Sequence, residues 1–396
     1  MSFYLISTIN RLNRCIHSIF IGVIFFAAST ANAGVATVIG TGQWHSCAGM
    51  AGGGLKCWGI GSNGELGDGK KTSSLVPVEV SGLSGNEIIA VGGGYSHTCA
   101  LTSTGSVYCW GKNNYGQLAS STLVSSSVPV LIPIPTGAAK GLSVGDNHVC
   151  ALDIYGNVYC WGGNSGTQLN RSPSLVRSTV PIYSAGMNDI VAINGKGMTT
   201  CVRDVNSGAK CYGYNFYGQL GIGVRDTQDK PTYGAPNYVV GLSKNVISTS
   251  AGIYNGCAVT TERVVSCWGA NLSGSLGFSE NAGVVFPSPI PVKGIRPDAN
   301  AIFVGASRAC ITTDSGVAQC WGGNSLGQLG NGRTAAQETP YDVIGISEKV
   351  VSMSLGFSHT CVLLDNGTVR CFGANNLGQL GIGTTAGSPI ARPVSL

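Results

Sequence analysis

The sequence predicts an all-β protein, a seven-bladed β-propeller of repeats with one intra-blade disulfide per repeat. Two cysteines with nine residues between them recur seven times, and corresponding cysteines follow one another at intervals of 52, 51, 51, 56, 53 and 51 residues. A period of this length is typical of propeller blades rather than of short solenoid turns. Glycine supplies 60 of the 396 residues and charged residues only 10%, which favours short strands joined by many turns.

The cysteine pairs are predicted to be disulfides across one hairpin. In five copies the third residue of a three-residue loop is glycine, which tolerates the left-handed conformation required there: Gly53, Gly105, Gly156, Gly316 and Gly367. Counting outward from such a loop places the two cysteines opposite each other at a non-hydrogen-bonded position, where Cα atoms lie about 4.5 Å apart. A disulfide accepts this distance, whereas paired ligands of structural zinc sites have only about two to four residues between them. The predicted pairs are Cys47 with Cys57, Cys99 with Cys109, Cys150 with Cys160, Cys201 with Cys211, Cys257 with Cys267, Cys310 with Cys320, and Cys361 with Cys371.

Other positions repeat with the cysteines. A glycine lies two residues and a leucine nine residues after the second cysteine in all seven copies. An aromatic residue directly follows that cysteine, and we expect these rings to pack between blades: Trp58, Trp110, Trp161, Tyr212, Trp268, Trp321 and Phe372. A glycine lies five residues before the first cysteine in six copies, and Lys196 takes that place in the fourth. Val/Ile-rich segments such as 87–91 and 349–353 complete a pattern of four short strands per blade.

Residues 1–33 have the three-part pattern of a secretory signal peptide, and residues 34–396 form the predicted propeller. Arg11 and Arg14 precede an apolar run at 19–28, and the small residues Ala31 and Ala33 mark a cleavage site before Gly34. The run is shorter than the roughly 20 residues needed to span a bilayer. The sequence therefore predicts an exported protein, secreted or periplasmic, without a membrane span after cleavage. Export suits the disulfides, which persist in oxidising compartments.

The charge of the mature chain gives no support for nucleic-acid binding. Without Arg11 and Arg14, 21 of the 23 basic residues remain against 18 acidic ones, a net charge near +3 that is spread along the chain. Nucleic-acid binding requires a basic patch, which this distribution lacks. We expect a monomer that contacts another protein and uses no cofactor.

Two short segments resemble the signature repeat of the regulator-of-chromosome-condensation family. The first segment follows the second cysteine of a pair, as at residues 110–118 (WGKNNYGQL) and 321–330 (WGGNSLGQLG). The other is the Gly-x-x-His-x-Cys segment that ends at the first cysteine of a pair, as at 356–361. The resemblance covers all seven repeats and implies a seven-bladed propeller. It implies less about function, since similar repeats occur in a nuclear exchange factor for a small GTPase, in bacterial effectors and in a secreted inhibitor of β-lactamases. The cysteine pairs depart from the intracellular members and favour an extracytoplasmic branch.

No residues are predicted to be catalytic, cofactor-binding or metal-binding. Four histidines, His45, His97, His148 and His359, occupy one repeated slot two residues before a cysteine, which spreads them around a ring instead of bringing unlike groups together. We interpret the slot as structural, because neutral imidazole both donates and accepts hydrogen bonds. Residues 141–145 match the pattern around a nucleophilic serine, Ser143, but that pattern requires a following helix, and another strand follows here.

Repeats four and five are the longest, and repeat proteins often bind through such insertions. Their aromatic residues are the predicted partner-binding residues, because aromatic side chains are frequent anchors of protein interfaces: Tyr214, Phe216, Tyr217, Tyr233, Tyr238, Tyr254, Phe278 and Phe286. The alternative is that some of these rings pack their own loops.

The sequence favours an exported propeller that serves as a protein–protein interaction scaffold and not an enzyme. A second hypothesis is a secreted inhibitor of a cell-wall or β-lactamase-type enzyme that uses the same surface. A third is a lyase or hydrolase with its residues at the mouth of the central channel, which requires unlike acidic, basic or imidazole groups to converge there. How the ring closes stays open at this point.

Overall fold

The computed structural model describes residues 34–227, 236–279 and 284–396, which form seven four-stranded antiparallel sheets. The predicted signal peptide at 1–33 lies outside the described residues. Blades 1 and 2 contain β1 (Ala36–Thr41), β2 (His45–Met50), β3 (Leu55–Gly59), β4 (Ser74–Glu79), β5 (Ile88–Gly93), β6 (His97–Thr102), β7 (Val107–Gly111) and β8 (Ser126–Ile132). Blades 3 and 4 contain β9 (Ala139–Val144), β10 (His148–Asp153), β11 (Val158–Gly163), β12 (Arg177–Tyr183), β13 (Ile190–Lys196), β14 (Thr199–Asp204), β15 (Ala209–Gly213) and β16 (Asn237–Tyr238).

Blades 5 to 7 follow the same order. They contain β17 (Val246–Ala251), β18 (Asn255–Thr260), β19 (Val265–Ala270), β20 (Val285–Pro291), β21 (Ala299–Val304), β22 (Arg308–Thr313), β23 (Ala318–Gly322), β24 (Gln337–Asp342), β25 (Val350–Leu355), β26 (His359–Leu364), β27 (Val369–Gly373) and β28 (Ser388–Pro393). A single 3-10 turn, Leu272–Gly274, interrupts the strands in the described ranges. The predicted all-β, seven-bladed propeller is confirmed.

Each blade carries one disulfide between its second and third strands, and the predicted pairing is confirmed. The two cysteines of every pair are direct partners in the strand register, and their Cα atoms are 4.1 Å apart in all seven pairs. This spacing is that of a non-hydrogen-bonded strand pair and is far from the ~5.5 Å of the alternative register. In blade order, the bonded pairs are Cys47 with Cys57, Cys99 with Cys109, Cys150 with Cys160, Cys201 with Cys211, Cys257 with Cys267, Cys310 with Cys320, and Cys361 with Cys371.

The hairpin between these strands has the predicted left-handed third residue. The five glycines of this position have φ between 77° and 92°. Blades 4 and 5 keep the same conformation without glycine, since Ser207 has φ 61° and Arg263 has φ 64°. The loop geometry is therefore set by the strand register, even where the residue tolerates it less well.

The core is divided among the seven junctions between neighbouring blades. At the junction of blades 2 and 3, the ring of Trp161 packs against Cys99, Cys109 and Leu118 of the preceding blade. The other junctions repeat this arrangement, and Phe372 and Tyr212 replace tryptophan in two of them. The predicted packing of these rings between blades is confirmed.

The tryptophans that follow the second cysteine in five blades also donate a hydrogen bond across the junction. Each indole Nε1–H bonds the backbone carbonyl that precedes the repeated leucine of the previous blade, as Trp110 does to Glu65 at 2.8 Å and Trp161 to Gln117 at 2.9 Å. The buried indole thus keeps a partner for its one polar atom. An asparagine lies four residues after the second cysteine in six of the seven repeats. It fixes the same loop, since its Oδ1 accepts from the leucine amide, as in Asn113 and Leu118.

The ring closes through contacts between blades 7 and 1, without a blade shared between the two ends of the chain. Blade 1 uses β1 to β4 and blade 7 uses β25 to β28, each in sequence order. The Trp58 indole donates to the Gln379 carbonyl at 3.0 Å, and Ser46 Oγ lies 2.9 Å from His359 Nε2. The closing junction therefore uses the same contacts as the internal ones.

The repeated histidine slot follows a pairing rule across four of the seven junctions. The polar side chain two residues before the cysteine bonds the hydroxyl one residue before the cysteine of the next blade. The observed pairs are His45 with Thr98, His148 with Thr200, Arg308 with Thr360, and His359 with Ser46. The predicted structural role of the histidines is confirmed for three of them.

His97 and Asn255 lack this partner for a sequence reason. The next blade offers Val149 to His97 and Ala309 to Asn255, and neither side chain can form a hydrogen bond. Both ring nitrogens of His97 and both amide atoms of Asn255 are buried without a partner among the described residues. A buried polar group left unpaired destabilises the fold by about 1–3 kcal/mol.

The substitution Val149→Thr should stabilise the protein. The threonine hydroxyl would face His97 as the hydroxyls of the four observed pairs face their partners. Threonine also has nearly the same volume as the valine it replaces. We expect a gain of about 1 kcal/mol in the free energy of unfolding, measured by denaturant titration of the oxidised protein. In a chain that also carries His97→Leu, whose side chain cannot form a hydrogen bond, the gain should shrink, and an undiminished gain there would refute the pairing.

The histidines should make the fold sensitive to acid. Burial lowers the pKa of His45 and His97 to about 3 and that of His148 to about 4, and burial lowers the pKa of His359 well below its ordinary value. Because the unfolded imidazoles titrate near 6.5, stability is complete above that pH and falls as the pH drops toward 4, by up to about 1.4 kcal/mol per pH unit for each histidine.

Unfolding free energies between pH 7 and 4.5 test this dependence. The variant His97→Asn gives blade 2 the asparagine that blade 5 has at this position, Asn255. It should reduce the slope of the unfolding free energy against pH by the equivalent of one proton. An unchanged slope would mean that His97 does not stay neutral in the native state.

Candidate functional site

The two ends of the propeller carry different loops. Because consecutive strands are antiparallel, the connections between the first and second strands and between the third and fourth strands leave every blade at one end. We call this end the loop face. Its described connections are 42–44, 60–73, 94–96, 112–125, 145–147, 164–176, 197–198, 214–227, 252–254, 271–279, 305–307, 323–336, 356–358 and 374–387. The hairpins that flank the disulfides lie at the opposite end, the hairpin face.

Four of the predicted partner-binding residues form one cluster on the loop face. The ring centroids of Tyr214 and Phe216 are 6.3 Å apart, those of Phe216 and Tyr217 are 5.5 Å apart, and those of Tyr217 and Tyr254 are 5.1 Å apart. Tyr254 belongs to blade 5, so this aromatic cluster bridges two blades. Phe216 is 46% exposed. A contiguous set of rings with one exposed member is suited to contact another protein.

The structure places the other predicted residues elsewhere. Tyr238 lies in β16, where its hydroxyl donates to Asp204 Oδ2 at 2.6 Å. Phe278 and Phe286 stack edge to face at 5.2 Å and pack against the core between blades 5 and 6. Tyr233 lies outside the described residues. The alternative of self-packing therefore describes the two phenylalanines.

A second group of aromatic residues on the same face escaped the sequence analysis. The ring centroid of Trp44 lies 5.2 Å from that of Tyr95 and 6.5 Å from that of Phe357, so three blades contribute. Tyr95 and Phe357 are exposed. All three precede the histidine slot by one or two positions, and that shared position was the signal available in the sequence.

The central channel ends in a cavity of about 130 Å³ at the loop face. Its wall includes the last residue of the first strand of every blade: Thr41, Gly93, Val144, Lys196, Ala251, Val304 and Leu355. Lys196 is the charged member of this set. Its ammonium group reaches across the channel from blade 4 and donates a hydrogen bond to the Leu355 carbonyl of blade 7.

The glycine that Lys196 replaces is required by the histidine slot. A Cβ atom built on Gly42 would overlap the ring of His45, and one built on Gly356 would overlap the ring of His359. Blade 4 has Thr199 in the histidine slot, and this smaller side chain leaves room for a residue with a Cβ. The two departures of blade 4 from the repeat are therefore one structural change.

Burial controls the ionisation of the channel residues. It lowers the pKa of Lys196 to about 8 and raises the pKa of Asp146, whose charge favours the protonated lysine. No ion pair joins the two in the described part of the chain. The nearby imidazoles of His45 and His359 are buried and neutral. These groups give the channel mouth a positive charge.

The remaining features of the described residues add no chemistry. No group of three or more His, Cys, Asp or Glu side chains in the described ranges could hold a metal ion. In those same ranges no helix has the length and apolar character that a membrane span needs. Ser143 lies in β9, which leads into β10 without a helix, as the sequence analysis expected.

Comparison with known proteins gives the family. The sequence profile of the RCC1-like domain matches residues 26–344, and that of the regulator of chromosome condensation (RCC1) repeat matches 350–379. This chain belongs to the RCC1-like domain family. The resemblance found in the repeats is thereby confirmed.

Two curated relatives show how widely the RCC1-like domain is used. The chain is 28% identical over 359 residues to the ultraviolet-B receptor UVR8 of Arabidopsis thaliana, a match that covers 87% of this chain and 78% of that protein. It is 29% identical over 344 residues to the human E3 ubiquitin-protein ligase HERC2, covering 83% of this chain but 7% of the ligase.

Solved RCC1-like structures have the same fold. Prp20p from Saccharomyces cerevisiae superimposes with a TM-score of 0.74 at 22% identity, covering 86% of each chain. Human WBSCR16 gives a TM-score of 0.73 at 22% identity, covering 84% of this chain and 87% of that one. The structure of Prp20p was described together with its binding to Gsp1p and histones. At these identities the likeness establishes the fold alone.

The coupling of Lys196 to Thr199 can be tested by substitution. Thr199→His should destabilise the protein by about 1–3 kcal/mol, because the ring would overlap the Lys196 side chain. Adding Lys196→Gly should restore most of the loss, so the two changes should be strongly non-additive in denaturant titrations. Simple additivity would show that the glycine does not serve the histidine ring.

Proposed function

We propose that this RCC1-like chain is an exported, monomeric scaffold that binds another protein through its loop face. The aromatic cluster of Tyr214, Phe216, Tyr217 and Tyr254 is the observation that carries the proposal. It lies on blade 4 and its neighbour, where the repeat departs from its own pattern, and it exposes a large ring. Exposed aromatic side chains in a group are typical anchors of protein interfaces.

Several observations support the exported state within this proposal. All fourteen cysteines of residues 34–396 are paired in disulfides, which reducing compartments do not maintain. Residues 1–33 carry the pattern of a cleaved export signal. Protein binding by Prp20p, whose structure was also solved with Kap60, is consistent with a scaffold role for this chain.

Affinity capture from periplasmic and culture fractions tests the proposal. The mature, oxidised protein should retain a partner, and Phe216→Ala and Tyr217→Ala should weaken the complex by about 2 kcal/mol or more if they are anchors. Tyr155→Ala is the matched control, because Tyr155 is 70% exposed and lies in the hairpin at the other end of the propeller.

Capture that survives both loop-face substitutions, or that Tyr155→Ala reduces equally, would contradict the proposed surface. The identity of the partner distinguishes the scaffold from the inhibitor hypothesis. An enzyme that is captured and loses its activity would indicate an inhibitor, whereas a structural or host protein would support the scaffold.

A further inference from the structure

Lys196 is a positive charge inside the channel that the fold does not require. Six blades have glycine at its position and build the same junctions without it. Lys196 is half-buried at the channel wall, and the charge of a partly desolvated lysine is costly unless an anion or several acceptors compensate it. Its observed hydrogen-bond acceptor is one backbone carbonyl, that of Leu355. Local rules are broken in this way chiefly at functional sites.

The groups around Lys196 compensate its charge only in part. Asp146 is the acidic group that faces it, beyond ion-pair distance, and burial disfavours ionisation of that carboxyl. Arg308 adds a second buried positive charge, which is bonded to the Phe357, Gly356 and His359 carbonyls. With a pKa of about 8, Lys196 is mainly protonated at pH 7.

The channel wall also offers hydroxyl groups to an anion. Ser143 is 4% exposed, lines the cavity, and its Oγ has no partner among the described residues. Thr41 and Ser354 form a hydroxyl pair at 2.9 Å from which one proton remains free to donate. An ammonium group with nearby hydroxyl donors is the donor set that a carboxylate accepts.

The two ends of the propeller differ in charge. The described connections of the loop face carry six basic and four acidic side chains, and Lys196 adds a seventh basic group beneath them: Lys70, Lys71, Lys112, Arg171, Arg225 and Arg333 against Glu65, Asp68, Asp146 and Asp226. The described connections of the hairpin face carry five basic and seven acidic ones: Lys244, Arg263, Lys293, Arg296 and Lys349 against Glu87, Asp189, Glu262, Asp298, Asp314, Glu348 and Asp365. An acidic segment is therefore attracted to the loop face.

We propose that the channel mouth is a carboxylate-binding site, and that an Asp or Glu side chain of the protein partner enters it and pairs with Lys196. This inference rests on the proposed function, because the carboxylate comes from the protein that docks on the loop face. The aromatic residues around the mouth provide the apolar contacts, and Lys196 selects partners that present an acidic residue at the centre.

Acetate is the probe of the site itself. At constant ionic strength and pH 7, acetate should raise the unfolding midpoint of the oxidised protein in a saturable way, since a ligand of the native state stabilises it. Backbone amides around Lys196 should shift over the same concentrations in NMR spectra. Acetamide, which has the same shape without the charge, should have neither effect.

Two substitutions test the role of Lys196. Lys196→Gly restores the residue of the other six blades. Lys196→Met removes the charge and keeps nearly the length of the side chain, so at least one of the two variants should fold. Both should abolish the acetate effect, while Lys140→Met, an exposed lysine whose ammonium bonds Ile154, should keep it. An acetate effect that persists without Lys196, or that acetamide reproduces, overturns the site.

Capture experiments separate this inference from the proposed function. Lys196→Gly should weaken the captured partner's binding by about tenfold or more, because the partner's carboxylate loses its buried counter-charge. Partner binding that is unchanged in Lys196→Gly overturns the inference and leaves the scaffold intact. A protein that binds acetate at Lys196 but captures no partner instead contradicts the scaffold function.

Discussion

The packing of one aromatic ring against the disulfide of the preceding blade is the contact on which the whole ring depends. It recurs at all seven junctions and supplies each blade with the apolar surface that a four-stranded sheet cannot bury alone. The indole hydrogen bond fixes the orientation of neighbouring blades. Because the junction between blades 7 and 1 uses the same contacts, the ring closes without exchanging a strand.

This constraint decides which positions are free to vary. The glycine five residues before the cysteine is tied to the histidine that packs on it, and the histidine is tied to a hydroxyl in the next blade. Blade 4 releases the first tie through Thr199, which admits Lys196 to the channel. The same blade carries Tyr214, Phe216 and Tyr217 on its exposed loop. Blade 4 thus places a channel cation and an aromatic loop on the same face of the propeller.

The arrangement of these residues on the loop face supports the proposed function. At the hairpin face, the strand register sets the geometry of the short turn between the second and third strands of each blade. The loop face has longer connections, exposed rings and an inward-facing cation, which together could recognise a protein by shape and charge. The RCC1-like fold supplies a rigid support for such a surface, and rigid support lowers the entropy lost on binding.

The repeat pattern alone predicted the blade number, the four strands of each blade and the disulfide pairing, because a strict repeat places equivalent residues in equivalent surroundings and a short hairpin leaves one register. It also singled out Tyr214, Phe216, Tyr217 and Tyr254. The folded chain was needed to join these rings into one cluster, to add Trp44, Tyr95 and Phe357, and to place Lys196 in the channel. These contacts join residues of different blades, and the spacing of residues within one repeat does not indicate how close two repeats lie in space. These rings meet only when neighbouring blades pack in the closed ring, which the sequence of a single repeat does not specify.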